Sequence, residues 1–389
     1  MDPIWLLLLL PLASLSGYAY GRRSSERSSG QRVDRLSRSY FRGLNLLLNE
    51  QTDKALEIFL EMAQVDSDTV EMQLAVGNLF RRRGEVDRAI RLHQDLFQRP
   101  LLSVEQRMHA LHELGEDYMR AGLLDRAEEL YRQLLDIEPR SEGALRKLVD
   151  IFEQEHEWAK AIEMTERLSS LGHDEHTRVA HYQCELAERA RVSGNAETAY
   201  HHLTNARLKR PESVRTELVA AQLALDQDAP AQATVALRAA AHADPEFIPE
   251  LLPLLVRCEL DPRSRTAAQA LLNELVERDP GVSAVLCLGE VLRREQGVPA
   301  ERAFYTERLR KRPSIRVLKR MLEVDLPAQE ICASPSLELS FSVIRGYLDR
   351  KPAYRCGSCG FSSGRTLHWQ CPSCKTWGST KPVPGAPGE

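Results

Sequence analysis

Four cysteines near the end of the 389-residue chain are the residues whose type and spacing most directly predict chemistry. They form two C-x2-C pairs, Cys356 with Cys359 and Cys371 with Cys374, separated by eleven residues. Each pair presents two thiolates to one ion, and two pairs complete a tetrahedral site. The pattern therefore predicts one bound metal ion in a four-cysteine site. Iron and zinc both accept this ligand set.

The residues around the cysteines predict a small rubredoxin-like metal-binding domain over residues 351–382. Gly360 follows the first pair, where such a turn commonly needs a positive φ, and Lys375 holds the equivalent, less comfortable place after the second pair. Four aromatic side chains would supply the only core that so short a module has: Tyr354, Phe361, Trp369 and Trp377. Because metal binding supplies the folding free energy of such modules, we expect this one to fold only with its metal.

Several alternatives for this segment are open at the level of sequence. Disulfides would use the same cysteines, but a reducing cytoplasm disfavours them. An iron-loaded site would make the chain a rubredoxin-like electron-transfer protein on a repeat scaffold. A zinc ribbon that binds nucleic acid would suit the mildly basic tail, but the net charge of −4 gives it no support. His368 is expected beside the metal site, since four cysteines already complete the ligand set.

The elements that must position this module are predicted by a repeat in the middle of the chain. Residues 108–139 carry the tetratricopeptide pattern, in which a glycine and an alanine let two antiparallel helices approach closely. Gly77 recurs as Gly115, and Ala127 recurs as Ala161. The first of these steps is longer than the second, which indicates four inserted residues at that junction. The pattern predicts an all-α, superhelical tetratricopeptide-repeat solenoid.

The repeat register divides the chain into segments. Six repeats are predicted within 36–247, at 36–69, 70–103, 108–141, 142–175, 180–213 and 214–247. Degenerate repeats and capping helices are predicted over 248–350, with weaker hairpins at about 249–281 and 282–313 and last helices at about 314–325 and 336–350. Pro249, Pro253 and Pro262 interrupt the pattern of the first weak hairpin. A disordered tail is predicted at 383–389.

The N-terminal residues predict a membrane anchor over 1–20. Ile4–Leu15 is uncharged and almost wholly apolar, and an apolar helix from Pro3 to Ala19 would span roughly 26 Å. A cleaved signal peptide is disfavoured because no basic residue precedes the apolar run. Arginines follow it in a basic juxtamembrane linker at 21–35, which predicts a single-pass protein with its N-terminus out and its bulk in the cytoplasm.

A partner-binding groove is predicted on the first helices of the repeats, the usual peptide-binding face of such arrays. The register places seven basic residues on or near it: Arg81, Arg82, His109, His112, Arg120, Arg146 and Arg191. Guanidinium groups there would pair with carboxylates of an acidic or C-terminal peptide segment. The alternative for each residue taken singly is a solvated charge.

Other reactive side chains predict no further site. His173, His176 and His181 are interpreted as surface histidines of a loop, since nothing in the register makes them converge. The remaining cysteines are isolated and are expected to be small apolar fillers: Cys184, Cys258, Cys287 and Cys332. Gly360–Gly364 matches G-x-S-x-G, but a nucleophile elbow needs a strand before it and a helix after it. The sequence therefore predicts a scaffold and no enzyme.

The order of anchor, repeat array and terminal four-cysteine module resembles the lipopolysaccharide assembly protein B family of Gram-negative bacteria. The resemblance covers essentially the whole chain. Its most specific pieces are the tail YRCGSCGF…HWQCPSCKTWGSTKP and the opening repeat YFRGLNLLLNEQTDKALEIFLEM. In that family the tail is a rubredoxin-type domain packed against the array, and its cysteines correspond to Cys356, Cys359, Cys371 and Cys374.

The resemblance implies a regulatory adaptor at the bacterial inner membrane. Such an adaptor promotes degradation of the lipid A-pathway deacetylase by an FtsH-type membrane AAA+ protease. It would also bring other lipopolysaccharide-synthesis proteins together, and a membrane-bound lipopolysaccharide sensor would restrain it. No nucleic-acid partner is expected.

Overall fold

A computed structural model of the protein describes residues 42–43, 45–46, 53–54, 57–59, 70–278, 281–325, 335–364 and 366–383. The predicted anchor at 1–20, the linker at 21–35, most of the first repeat, Cys332 and residues 384–389 lie outside the described residues. Within the described ranges, no helix is both long and apolar enough to cross a bilayer. The chain divides into two compact units, residues 1–151 and 152–389.

Helices paired as hairpins make up most of the described residues of both units. The helices that begin in the first unit are α1 (Val70–Arg83), α2 (Val86–Phe97), α3 (Val104–Ala121), α4 (Leu124–Ile137) and α5 (Glu142–Gln154). The second unit continues with α6 (Trp158–Ser170), α7 (His176–Val192), α8 (Ala196–Lys209), α9 (Val214–Asp226), α10 (Pro230–Ala243), a 3-10 turn (Pro245–Phe247) and α11 (Ile248–Leu260). It ends with α12 (Arg265–Glu277), α13 (Val282–Gln296), α14 (Val298–Lys311), α15 (Ile315–Asp325), α16 (Pro335–Asp349), β1 (Tyr354–Cys356), β2 (Ser362–Ser363) and β3 (Thr380–Pro382).

A glycine on the first helix faces a ring on the second helix in several hairpins. In the α3–α4 hairpin, a Cβ added to Gly115 would lie 2.7 Å from Cζ of the fully buried Tyr131. The same close approach recurs in three other pairs, each separated by sixteen residues: Gly43 with Phe59, Gly77 with His93, and Gly289 with Tyr305. The ring thus fills the space that the missing side chain leaves, which confirms the predicted role of the small residues.

The first helices end alike along the array. From α1 to α9, each first helix is followed by a residue in the left-handed conformation: Gly84, Gly122, His156, Gly194 and Asp228. The intervals between these positions alternate between a longer step and one shorter by four residues, so they mark the repeat register independently of the packing residues. The inserted residues lengthen α3 and α7, which have 18 and 17 residues against 14 in α1 and 13 in α5. Since four residues make about one turn, the insertion preserves the face that each helix buries.

The later hairpins are more regular than the sequence pattern predicts. Helix α11 runs through Pro253 because Leu251, Leu252 and Leu255 are buried around it. In the α13–α14 hairpin, Glu301 occupies the position of the small alanine of other repeats. Its carboxylate is fully buried and lies 3.3 Å from Nε of Arg320. Of the three prolines in the predicted interruption, Pro249 lies in the first turn of α11, Pro253 lies inside the continuous helix, and Pro262 lies in the turn before α12.

Replacing Gly115 with alanine should destabilise the first unit by about 1–3 kcal/mol, the usual cost of overpacking a core. The new methyl group would meet the Tyr131 ring at 2.7 Å. Thermal unfolding followed by circular dichroism measures the change. The matched control is Gly346→Ala in α16, where an added Cβ meets no atom within 4 Å. The control should be neutral or slightly stabilising, because alanine favours helix, and equal melting temperatures for both variants would contradict this account of the hairpin.

Candidate metal centre and its docking surface

The four-cysteine module is built on a small antiparallel sheet with the strand order β2-β1-β3. Cys356 ends β1 and pairs with Thr380 of β3. Two tight turns carry the cysteine pairs, closed by hydrogen bonds from the amide of Gly360 to the carbonyl of Cys356 (3.0 Å) and from the amide of Lys375 to the carbonyl of Cys371 (2.9 Å). Gly360 has φ 78° and Lys375 has φ 59°. Both residues thus adopt the left-handed conformation that the sequence predicts.

The sulfur atoms of Cys356, Cys359, Cys371 and Cys374 lie within 4.8 Å of one another. Two of the separations are 3.7 Å, from Cys356 to Cys374, and 3.6 Å, from Cys359 to Cys371. A tetrahedron of sulfurs about 2.3 Å from a zinc ion has edges of roughly 3.8 Å, whereas a disulfide needs about 2.05 Å. The four thiolates therefore fit one tetrahedral metal ion and form no disulfide. Bound there, the ion would cross-link the two turns.

Neighbouring hydroxyl groups favour the thiolate form of two ligands. The Ser379 hydroxyl, 3.2 Å from the sulfur of Cys356, lowers the pKa of that thiol to about 6. The Thr376 hydroxyl lies 3.3 Å from the sulfur of Cys374 and lowers its pKa also. Burial instead raises the pKa of Cys371 to about 11. His368 is absent from the sulfur cluster and its ring lies near Phe361, as predicted for a neighbour.

The prediction that four aromatic side chains form the core of the module is wrong for Trp369 and Trp377. Trp369 and Trp377 do not pack together inside the module but against the helices of the second unit. Trp369 stacks on Phe247 with ring centroids 5.4 Å apart. Trp377, which is only 9% exposed, makes an edge contact with Trp158 at 5.9 Å. A module with so few residues gains more buried apolar area by covering a neighbour than by enclosing its own rings.

The carboxylate of Glu153, at the end of α5, is the central hydrogen-bond acceptor of this docking surface. It is 8% exposed and accepts hydrogen bonds from Nε1 of Trp377 (2.9 Å) and Nε2 of Gln370 (2.9 Å). From the array, it accepts the hydroxyl of Tyr182 and lies 3.5 Å from Nε of Arg178. Donors from both partners therefore compensate one buried charge, as a buried carboxylate requires.

The two module donors to Glu153 sit at the ends of the second cysteine turn. Gln370 and Trp377 form a β-bridge with each other, and Cys371 and Cys374 lie on the loop between them. A metal ion bound to both cysteines would fix this loop. Metal binding is therefore linked to the geometry of the two hydrogen bonds that hold the module on Glu153.

A buried arginine forms the middle of the docking surface. Arg215 of α9 is 6% exposed, and its guanidinium carbon lies 5.5 Å from the ring centroids of both Trp369 and Trp377. Its Nη2 donates to Glu185 at 2.6 Å, whereas its Nε has no hydrogen-bond partner among the described residues. Stacking on two indole rings provides the favourable surroundings that a desolvated guanidinium needs.

His181 packs beside Arg215 and stacks on Trp377 with centroids 5.2 Å apart. Burial, with the positive charges of Arg215 and Arg210, lowers the pKa of His181 to about 3. The prediction of a surface histidine is wrong for this residue, because the module covers it. His176 is exposed and His173 half-buried, and neither belongs to the metal cluster found among the described residues.

A second group of polar contacts joins the sheet of the module to the start of α11. The Tyr354 hydroxyl donates to Glu250 at 2.6 Å. Nζ of Lys381 donates to Glu246 at 2.6 Å and lies 2.9 Å from Asp244. Together with Glu153, these contacts place the module across the hairpins from α5 to α11.

Sequence reasoning missed the array side of this surface, chiefly Glu153, Tyr182 and Arg215. The available signal was indirect. Arg215 is the second residue of a helix that begins V-R-T-E-L-V-A-A, and the module carries two tryptophans eight residues apart, which is a large aromatic surface for so short a segment to enclose. Only the tertiary fold brings the two segments together.

The seven residues of the predicted groove have different surroundings. Three of them pair with carboxylates: Arg81 with Glu113 and Asp117, Arg146 with Glu142, and Arg191 with Glu188 and Asp226. His112 is half-buried against Tyr131, and His109 is exposed. Arg82 and Arg120 line one pocket in the first unit. Peptide binding by these residues stays a prediction.

The isolated cysteines are buried where the structure describes them. Cys184 and Cys258 are fully buried and Cys287 nearly so, and none is in a disulfide. Burial raises the pKa of each of the three thiols. These three therefore pack as small apolar side chains.

The fold and the site define a class: a tetratricopeptide-repeat protein that carries a metal-binding module on its helices. Comparisons with known proteins agree, since residues 354–382 match the family described as rubredoxin metal binding domain and residues 112–168 match the tetratricopeptide repeat. The chain belongs to the lipopolysaccharide assembly protein B family. It is 38% identical to lipopolysaccharide assembly protein B of Escherichia coli K12, over 98% of this chain and 99% of the relative.

The chain is also similar to two further proteins, at different levels of sequence identity. The protein of the same name from Haemophilus influenzae is 34% identical, with 97% of this chain and 98% of the relative covered. Among solved structures, part of a tetratricopeptide repeat-containing protein from Cytophaga hutchinsonii is 14% identical, with a TM-score of 0.41, 64% of this chain and 99% of that chain covered.

Replacing Glu153 with alanine should release the module from the array while leaving the metal bound. The substitution removes the acceptor of Trp377 and Gln370 and leaves their donors to be satisfied by water, at a cost of about 2–4 kcal/mol. Metal content by elemental analysis and tryptophan emission measure the two effects separately. We expect full metal content and a red-shifted emission.

Two further variants serve as controls, one expected to lose both metal and docking and one expected to lose neither. Cys371→Ser with Cys374→Ser should lose both the metal and the docked emission, because the loop that carries the donors is no longer fixed. Glu163→Ala, which removes an exposed carboxylate on α6, should change neither. An unshifted emission in Glu153→Ala would contradict the role assigned to this carboxylate.

Lowering the pH from 7.5 to 5.5 should weaken docking by about 1.4 kcal/mol through His181. Its pKa is about 3 when docked and about 6.5 when exposed. Protonation of His181 thus favours the undocked state. The contribution of neutral His181 to docking stability is fully present above pH 6.5 and is lost as the pH falls toward 3. Thermal melting at both pH values measures the loss. The neutral variant His181→Gln should lose less stability over this range, and an equal loss in both proteins would contradict the assignment.

Proposed function

We propose that this protein is a non-enzymatic adaptor at the inner membrane that regulates lipopolysaccharide synthesis. The observation that carries the proposal is the end-to-end match to relatives named lipopolysaccharide assembly protein B, at 38% identity over 98% of the chain. Repeat arrays of this kind act by presenting helices to other proteins. The predicted scaffold and the named relatives therefore support the same kind of function.

The adaptor would promote degradation of the lipid A-pathway deacetylase by an FtsH-type membrane AAA+ protease. The apolar run at the N-terminus and the arginines after it support a single span that leaves the array in the cytoplasm. An anchor confines the array to the membrane plane, which raises its effective concentration beside a membrane-bound protease. Other lipopolysaccharide-synthesis proteins would assemble on the same array, and a membrane-bound sensor would regulate it.

The docked metal module supports a structural use of the metal in this adaptor. The module contacts the array from Glu153 on α5 to Glu250 on α11, through hydrogen bonds and stacked rings. A brace over several hairpins limits their movement relative to one another. A protein that holds two partners at a fixed spacing needs this stiffness, because added flexibility lowers the effective concentration of one partner at the other.

The half-life of the lipid A-pathway deacetylase in cells tests the proposal. Depletion of this protein should lengthen the half-life at least threefold, because the protease would lose its adaptor. The full chain should restore rapid turnover, whereas a chain lacking residues 1–20 should not. Pulse-chase labelling with immunoblotting provides the measurement.

Two controls make the result specific. A second membrane-protein substrate of the same protease should keep its half-life on depletion, which separates an adaptor from a general activator. Glu163→Ala should restore turnover as the unaltered chain does, because the substitution leaves the docking surface intact. An unchanged deacetylase half-life after depletion would refute the adaptor function.

A further inference from the structure

A pocket of about 490 Å³ lies at the C-terminal ends of α1 and α3 in the first unit. Its lining residues are Arg81, Arg82, Glu116, Met119 and Arg120. The pocket thus combines three guanidinium groups with one carboxylate and one flexible apolar side chain. Such a lining offers a ligand charged hydrogen-bond donors together with one apolar contact.

The charges of the pocket are only partly compensated within the protein. Nη1 of Arg81 donates to Asp117 at 2.7 Å, and its Nη2 donates to Glu113 at 2.6 Å. Glu116 pairs with Nζ of Lys147 at 2.5 Å. Burial raises the pKa of Glu116, but Lys147, His112 and Tyr131 together lower it overall.

Arg82 and Arg120 are different. Both are exposed, and neither has an ion-pair or hydrogen-bond partner in the part of the chain that the structure describes. Guanidinium groups bind carboxylates through paired N–H donors in a fixed geometry. Two uncompensated guanidiniums at one pocket therefore favour a ligand with carboxylates.

The repeat register gives this pocket an internal counterpart. The left-handed residues Gly122 and His156 end α3 and α5 in successive repeats. The residue three positions before each is Met119 in α3 and Glu153 in α5, and the same position in α1 is Arg81. In α5 this position already binds a folded segment, because Glu153 accepts the donors of the metal module.

The chemistry at the two places is inverted. Where α5 offers the carboxylate of Glu153 to N–H donors, the ends of α1 and α3 offer the guanidinium groups of Arg82 and Arg120, one register position later and beside the thioether of Met119. The equivalent surface of the first unit should therefore take a segment that supplies carboxylates. A methionine side chain adapts its shape to varied apolar partners, so the segment should also carry an apolar residue.

We propose that the pocket at the ends of α1 and α3 binds an acidic segment of a partner protein. Arg82 and Arg120 pair with carboxylates of the segment, and Met119 packs against an apolar side chain between them. The inference rests on the proposed adaptor function and deepens it, since it assigns the chemistry of one partner and the place where that partner binds.

A membrane surface is a poorer match for this site. Anionic lipids attract clusters of several uncompensated basic residues close to the bilayer. Here the carboxylate of Glu116 lines the same pocket as Arg82 and Arg120 and would face the same lipid head groups. A peptide can direct its acidic side chains at Arg82 and Arg120 and avoid Glu116.

Fluorescence anisotropy with the full-length protein in detergent micelles tests the proposal. The probe is a fluorescein-labelled twelve-residue peptide with four glutamates and two leucines. The control peptide has glutamine in place of each glutamate. We expect at least tenfold tighter binding of the glutamate peptide. Arg82→Glu with Arg120→Glu should weaken that binding at least tenfold, and raising the salt concentration should weaken it as well.

The matched control is Arg91→Glu with Arg132→Glu, the same charge change on the second helices of the same two repeats. This control should bind the glutamate peptide as the unaltered protein does. Equal affinity for both peptides, or unchanged binding by Arg82→Glu with Arg120→Glu, would overturn the proposal. Binding to vesicles of phosphatidylcholine and phosphatidylglycerol in equal parts that depends on Arg82 and Arg120, without peptide binding, would overturn it in favour of a membrane contact.

The deacetylase half-life separates this inference from the proposed function. A deacetylase that is stabilised on depletion, together with no specific binding of the glutamate peptide, refutes only the acidic-segment site. A half-life that does not change on depletion refutes the adaptor function whether or not the peptide binds.

Discussion

The carboxylate of Glu153 is the point on which the metal module and the helical array depend together. It is 8% exposed, and a charge so buried needs donors on several sides. Tyr182 and Arg178 supply them from the array, and Trp377 and Gln370 supply them from the module. Because the cysteine turn lies between the two module donors, the metal, the turn and the docked surface are coupled through short covalent connections.

This coupling assigns different tasks to the two parts of the protein. The array presents similar helix ends repeatedly. Glu153 near the end of α5 docks the module, whereas Arg82 and Arg120, one register position later at the ends of α1 and α3, are exposed. The module stabilises one stretch of the array and covers part of its first-helix surface. In the proposed adaptor, partner segments would bind at the helix ends that the module leaves uncovered.

The sequence predicts the periodic features well, because they arise from local packing. Gly115 is needed against Tyr131, and four cysteines in two pairs leave little choice of fold for the loops that hold them. It does not predict where the module docks. Glu153 and Trp377 are 224 residues apart, and each alone has an ordinary alternative, a solvated acid or a small core. The α13–α14 hairpin is more regular than the sequence predicts. Glu301 stands at the position where alanine is usual, and its buried carboxylate is accommodated by the nearby guanidinium of Arg320.

The distance along the chain between the docked residues also sets an order of events during synthesis. Gln370 and Trp377 meet Glu153 across 217 and 224 residues, whereas the helical hairpins close locally. Local contacts form early and distant ones late, and synthesis itself delivers the module last. The hairpins from α5 to α11 therefore exist first with Tyr182, His181 and Arg215 uncovered. The module, once loaded with metal, completes a surface that is open on any nascent chain ending before Trp377.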